Sequence, residues 1–211
     1  MERGLRVAGC SDLSFYDQDY FDRGCQSGKS NYVDYSWERI GGEIEKTAAH
    51  IIKHYAPAKT LDVGCAKGFM VKALYERGVD AYGIDASDYA VSKVPAEVND
   101  RVKLGLASDL TYNSNEFDLV TIFDVLEHIP EELAYPTCAE LLRVSSKWVL
   151  VYVVTKYEPD DIDPTHINIK PREWWEAKFV ELGGKICSTN VIYNPDIWWF
   201  NLAERLILVK K

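Results

Sequence analysis

Between residues 61 and 68 the chain reads Leu61-Asp62-Val63-Gly64-Cys65-Ala66-Lys67-Gly68, a carboxylate set just ahead of closely spaced glycines. Glycine there lets the backbone pass close to a ligand and turn sharply into a helix, whose first N–H groups remain free to bind it. Two phosphate-binding patterns fail. A dinucleotide loop needs glycine at 64, 66 and 69, where the chain has Gly64, Ala66 and Phe69. A P-loop needs Gly-Lys-Ser/Thr, and Phe69 follows Gly68. Asp62 points elsewhere, because an acid repels a pyrophosphate but accepts a hydrogen bond from an ammonium. Twenty-three residues later Asp85 closes Tyr82-Gly83-Ile84-Asp85. An acid at a strand end can take both hydroxyls of a ribose. Ribose plus an amino-acid group spells a nucleoside-linked amino acid.

These residues need strands and helices to hold them. From Lys59 onward, strand-like and helix-like segments alternate, the pattern of a parallel α/β sheet. Strands are expected at 60–63, 80–84, 102–105, 117–123 and 147–154. Helices are expected at 69–77, 89–94 and 131–144, with Gly78 stopping the first. The pattern predicts five βα steps. A helix at 172–182 then ends at Gly183-Gly184. Two last strands follow, at 185–193 and 202–209, joined by a short loop around Asn194-Pro195 and therefore antiparallel. Before the core, Ile40, Ile44, Ala48, Ile51 and Ile52 share one face of an amphipathic helix.

The chain of 211 residues holds 47% hydrophobic and 27% charged residues, ordinary for a globular domain with a sizeable core. Its net charge of −9, from 24 basic and 33 acidic side chains, disfavours DNA and other phosphate backbones, though a tRNA or small nucleotide stays open. No run approaches the roughly 18 apolar residues of a membrane span, and no signal peptide is expected. Five cysteines, with no CxxC pair, argue against a disulfide framework or zinc knuckle and for a reducing cytoplasm.

From about Ile44 to its end the chain resembles the class I S-adenosylmethionine-dependent methyltransferases. Asp62 to Gly68 matches their glycine-rich first motif, with Ala66 where glycine is commoner, and Asp85 matches their ribose-binding acid. Ser108-Asp109-Leu110 matches the segment after the third strand, whose acid faces the adenine amine. Phe117-Asp118-Leu119-Val120, then Phe123-Asp124-Val125-Leu126-Glu127-His128-Ile129, match the fourth-strand motif. The resemblance implies a Rossmann-like α/β fold with seven strands, mostly parallel, an antiparallel last strand and helices on both faces. It implies S-adenosylmethionine as cofactor, held by Asp62, Gly64, Cys65, Ala66 and Gly68, by Asp85 and Ala86, by Ser108, Asp109 and Leu110, and by Phe123 and Asp124. No metal is expected: Asp124, Glu127 and His128 would need further ligands that the sequence does not identify.

The acceptor side rests on fewer residues. His166, in the loop after the fifth long strand, lies where such loops open onto the active-site face, and histidine deprotonates a hydroxyl near neutral pH. It is the expected general base. In many relatives the irregular segment before the core forms a lid. Residues 1–45 are the corresponding segment here, with Tyr16, Tyr20 and Tyr32 toward the acceptor, His128 near the cofactor floor, and 46–211 as the catalytic domain. The expected reaction moves a methyl group to an oxygen or nitrogen of a small-molecule acceptor. Two alternatives stay open: a methyltransferase acting on protein or RNA, and a non-catalytic cofactor-binding domain. The lack of a basic face, and of Asn/Asp-Pro-Pro-Tyr/Phe after the fourth strand, counts against adenine methylation. Oligomeric state is not legible.

Overall fold

Strand Phe117–Phe123 (FDLVTIF) has no polar face, because both of its sides are covered. Leu119 and Phe123 face one hydrophobic cluster while Val120 and Ile122 face another, the alternation that a period of two imposes. The computed structural model describes residues 13–157, 159–190 and 192–211. Its strands are β1 (Lys59–Val63), β2 (Asp80–Asp85), β3 (Val102–Leu104), β4 (Phe117–Phe123), β5 (Ser145–Tyr152), β6 (Lys185–Cys187) and β7 (Leu206–Lys210). They form one seven-stranded sheet in the order β3-β2-β1-β4-β5-β7-β6. The first five are parallel, and β7 runs antiparallel to both β5 and β6.

Helices α1 (Gln18–Ser27), α2 (Trp37–Tyr55), α3 (Phe69–Tyr75), α4 (Asp88–Ser92), α5 (Glu131–Val144) and α6 (Arg172–Glu181) cover the faces. Ile44, Ala48 and Ile51 of α2 and the apolar side of α3 join the cluster that holds Leu119, Leu150 and Leu208. On the other face, Cys138 and Leu141 of α5 and the fully buried Trp175 and Phe179 of α6 pack on Val120, Val149 and Val151. Helix α2 runs unbroken through residue 45, so the sequence-based boundary falls inside a helix. None of the described helices is long and apolar enough to cross a membrane.

The strand order reverses between β1 and β4, and ligands of open α/β sheets bind outside the strand ends at such a switch point. Two expectations need correction. No helix follows β3: residues 105–116, rich in Ser, Asp and Asn, form turns instead, leaving four βα steps rather than five. The last two strands are also shorter than their alternation implied. Residues 188–205 are a long connection with 3₁₀ turns at Trp198–Phe200 and Ala203–Arg205. Burial of Ile192, Ile197 and Phe200 draws that segment onto the core and overrides its strand-like pattern.

Gly64, just beyond β1, has φ +74°, and a Cβ there would lie 2.2 Å from Val125 Cγ2. Glycine is thus demanded here by the fold itself, beside the ligand approach expected of it. Gly64→Ala should destabilise the protein by about 1–3 kcal/mol and lower Tm by roughly 2–10 °C, read by calorimetry without cofactor.

Candidate functional site

Asp62, near the end of β1, is buried beside β4, and its Oδ1 accepts the Thr121 hydroxyl at 2.6 Å. Burial pushes this carboxyl up to about 7, only partly opposed by that hydrogen bond. The chain then turns through Gly64, whose N–H, with that of Cys65, reaches the Ile84 carbonyl at 2.8 and 3.1 Å. Ala66 sits at φ +49° and donates its N–H to Asp85 Oδ2 at 2.7 Å. The Ser87 N–H takes Oδ1 at 2.8 Å. Asp85 is thus fixed by the backbone of both loops, and burial raises its pKa as well.

These residues floor a cavity with about 1260 Å³ of space, counted out to its open mouth. Asp62, Gly64, Cys65, Ala66, Asp85, Ala86, Ser108, Phe123 and Asp124 all line it. Three other expected cofactor residues do not. Gly68, at φ +71°, caps α3, with the space for a Cβ closed by Val94 and Val102 at 3.2 Å. Asp109 is exposed, and Leu110 is core, its N–H bonded to Glu140. Without a helix after β3 the chain turns away past Ser108.

Tyr16, Tyr20 and Tyr32 also line the cavity, beside Phe21 and Tyr35, in a cluster of edge and stacked rings. Polar ties hold this N-terminal segment down. Lys67 Nζ reaches Asp22 at 2.5 Å and the Tyr35 carbonyl at 2.8 Å, Ser87 Oγ donates to the Tyr16 carbonyl, and Asn31 donates to Asp161. The sequence reading passed over Lys67, although a lysine inside a glycine-rich loop that is not a P-loop was a signal. It also passed over Trp199, which comes from the 188–205 segment, lines the cavity and donates Nε1–H to Asp124 Oδ2 at 2.7 Å.

His128 lines the cavity, and His166 does not. His166 packs behind His128, with ring centroids 4.7 Å apart, and its Nδ1 is held by Asp161 at 2.5 Å. The loop after β5 is anchored there by backbone contacts such as Asn168 N–H to the Glu127 carbonyl at 2.9 Å. Burial, with His166 alongside, lowers His128 to about 4, so its ring is neutral near pH 7. Glu127 is fully buried, and burial with Asp124 nearby raises its pKa well above the ordinary range. Glu127, His128 and His166 bring a carboxylate oxygen and two ring nitrogens within 4.8 Å of one another. The sequence reading weighed Asp124 in place of His166.

A family model described as "Methyltransferase domain" matches residues 61–149. A ubiquinone biosynthesis O-methyltransferase of Cereibacter sphaeroides is 30% identical over 82% of this chain and 78% of its own length. The chain belongs to the class I S-adenosylmethionine-dependent methyltransferases. Two solved structures share the fold at lower identity. The magnesium protoporphyrin IX methyltransferase of Synechocystis aligns over 97% of this chain and 100% of its own, with TM-score 0.61 and 15% identity. An S-adenosylmethionine-dependent methyltransferase from Archaeoglobus fulgidus covers 83% of this chain and 97% of its own, with TM-score 0.58 and 16% identity. The floor fits the family's cofactor: a buried carboxylate suits its ammonium, a second suits its ribose, and Gly64 keeps the loop flat between them.

Asp85→Ala should weaken S-adenosylmethionine binding by about 1.5–3 kcal/mol, read by titration calorimetry, through loss of charge-assisted hydrogen bonds. Unchanged affinity would remove the ribose assignment. Asp62 gives a pH dependence. In the free protein its raised pKa favours the protonated form, so it subtracts stability as pH climbs from about 4 to about 7. A bound ammonium favours the ionised form, so affinity should fall about tenfold per pH unit below about 7, and above it should hold only until the ligand's own α-ammonium deprotonates near about pH 8. Asp62→Asn should flatten that profile and bind weakly while melting no lower than wild type at pH 8.

Proposed function

We propose that this chain is an O-methyltransferase for a hydroxylated aromatic small molecule, with the N-terminal segment as the lid over the acceptor. The observation that carries the reading is the cavity's second half. Beyond the carboxylate floor its walls are Leu13, Tyr16, Tyr20, Tyr32, Ile129, Pro130 and Leu133, flat and apolar, with His128 among them. Aromatic walls of this kind take an aryl ring by edge and face contacts. The ubiquinone biosynthesis O-methyltransferases among its relatives support an oxygen acceptor, and the net charge of −9 disfavours RNA. Free Cys25, Cys65, Cys138 and Cys187 go with a reducing, cytoplasmic setting.

The cofactor supplies an electrophilic methyl carbon when bound. The rest falls to the chain: Asp62 and Asp85 fix the cofactor's two ends, the tyrosines hold the acceptor ring, and the closed lid excludes water. Protein incubated with tritiated-methyl S-adenosylmethionine and, separately, catechol, aniline and a protein and RNA extract should label catechol as its methyl ether. Label confined to aniline or to macromolecules would overturn the proposal, as would no label anywhere.

A further inference from the structure

The cofactor's ammonium and α-carboxylate sit on one carbon. A floor that takes the ammonium at Asp62 therefore needs a hydrogen-bond donor for the carboxylate close by, since an undesolvated partner is lacking in a partly closed wall. The glycine-rich loop has few N–H groups left for it. Those of Gly64 and Cys65 go to the Ile84 carbonyl, that of Ala66 to Asp85 and that of Gly68 to the Cys65 carbonyl. Among the described residues no lysine or arginine lines the cavity, and Lys67 directs its ammonium at Asp22 and the Tyr35 carbonyl. The Tyr20 hydroxyl is taken by Asp163, and the Trp199 indole N–H by Asp124.

Tyr35 supplies what the loop lacks. It lines the cavity, and its ring lies parallel to that of Phe69, the first residue of α3, with centroids 5.5 Å apart. Its N–H is bonded to the Phe21 carbonyl at 2.9 Å, and its own carbonyl is held by Lys67 at 2.8 Å. The glycine-rich loop thus sets where this side chain stands. Burial first, then Tyr32, Asp62, Cys65 and Asp85 around it, raise the Tyr35 pKa well above the ordinary tyrosine value. The hydroxyl keeps its proton and is a donor beside the carboxylates of the floor. Among the described residues nothing else takes up that proton.

We propose that the Tyr35 hydroxyl binds the α-carboxylate of S-adenosylmethionine, with Lys67 and Asp22 as positioning residues. The ammonium at Asp62 is the premise. The N-terminal segment then belongs to the cofactor site and is not only a wall for the acceptor. Asp62 and Tyr35 hold two arms of one carbon, and the chain leading to sulfur is the third, so the site also reads the configuration there. The lysine inside the glycine-rich loop acquires a role that no phosphate pattern gave it: it fixes the tyrosine through its backbone.

The test needs no turnover. Titration calorimetry compares S-adenosylhomocysteine with the same thioether lacking its carboxylate, S-adenosyl-3-thiopropylamine. Wild type should prefer the first by roughly 10–100-fold, the range of one charge-assisted hydrogen bond. Tyr35→Phe keeps the ring on Phe69, so it should lose most of that preference yet bind the carboxylate-free ligand as wild type does. Lys67→Met should lose part of the same preference, and Lys67→Arg should retain it. Thermal melts followed by circular dichroism check that each variant is folded; Tyr35→Phe decides the matter even where a Lys67 variant is not. A wild type that binds both ligands equally would overturn the proposal. So would Tyr35→Phe weakening both ligands alike or neither, and so would the carboxylate-selective loss falling on Tyr32→Phe instead. Asp62→Asn should weaken both ligands. If it weakens neither, the ammonium reading falls and the proposal with it, whereas failure at Tyr35 alone leaves Asp62 in place.

Discussion

The Asp85 carboxylate joins the two loops on which the cofactor floor depends. One oxygen holds Ala66 N–H after β1 and the other holds Ser87 N–H after β2. A half-buried carboxylate without such donors would be unfavourable, and the loop, with three left-handed residues at Gly64, Ala66 and Gly68, would be tied to β2 only through the Ile84 carbonyl. Each requirement answers the other. Asp62 takes the Thr121 hydroxyl as its donor, and burial, with Asp85 nearby, still lifts its pKa to about 7. An ammonium bound there would supply the partner that Asp62 lacks.

The same reasoning explains why the N-terminal segment is tied to this loop. Lys67 leaves the glycine-rich turn on the side away from the cavity, and its side chain is only 9% exposed. A charge so covered needs a partner, which Asp22 supplies from α1 with Tyr89 Oη donating to the second Asp22 oxygen at 2.5 Å. The Tyr35 carbonyl supplies the other acceptor. Rearrangement of the glycine-rich loop is in this way felt at α1, which carries Tyr20 and Phe21 into the cavity wall.

Local pattern sufficed to bring Asp62, Gly64 and Asp85 to one cavity, because they sit at strand-to-turn boundaries whose spacing a βαβ unit fixes. Strands β4 and β5 were legible because both sheet faces are covered along most of their length, whereas β3 exposes Lys103 and Leu104 at the sheet edge. What failed depended on distant contacts. The strand expected over 185–193 breaks after Cys187, because Ile192 and Phe200 find the core. The loop carrying His166 was placed correctly on the strand-end side of the sheet. Whether its histidine faces the cavity is decided by Asp161, Thr165 and Asn168, which bond to Asn31, His128 and Glu127. No periodicity encodes those pairings.

The charge of the cavity also bears on turnover. Asp62, Asp85 and Asp124 line it, while the cation nearest the glycine-rich loop, Lys67, is turned outward to Asp22. Carboxylates in a partly desolvated wall attract a positive ligand more strongly than they do in water. A sulfonium brings that positive charge, and methyl transfer removes it, because the product is a neutral thioether. Contacts to the ammonium and ribose would be the same before and after the reaction, so they would hold substrate and product alike and could not by themselves favour release. The loss of one positive charge amid three acids would discriminate, and its sign would loosen the product. An acidic floor of this kind would then serve twice, first in selecting a cationic cofactor and then in letting go of the spent one.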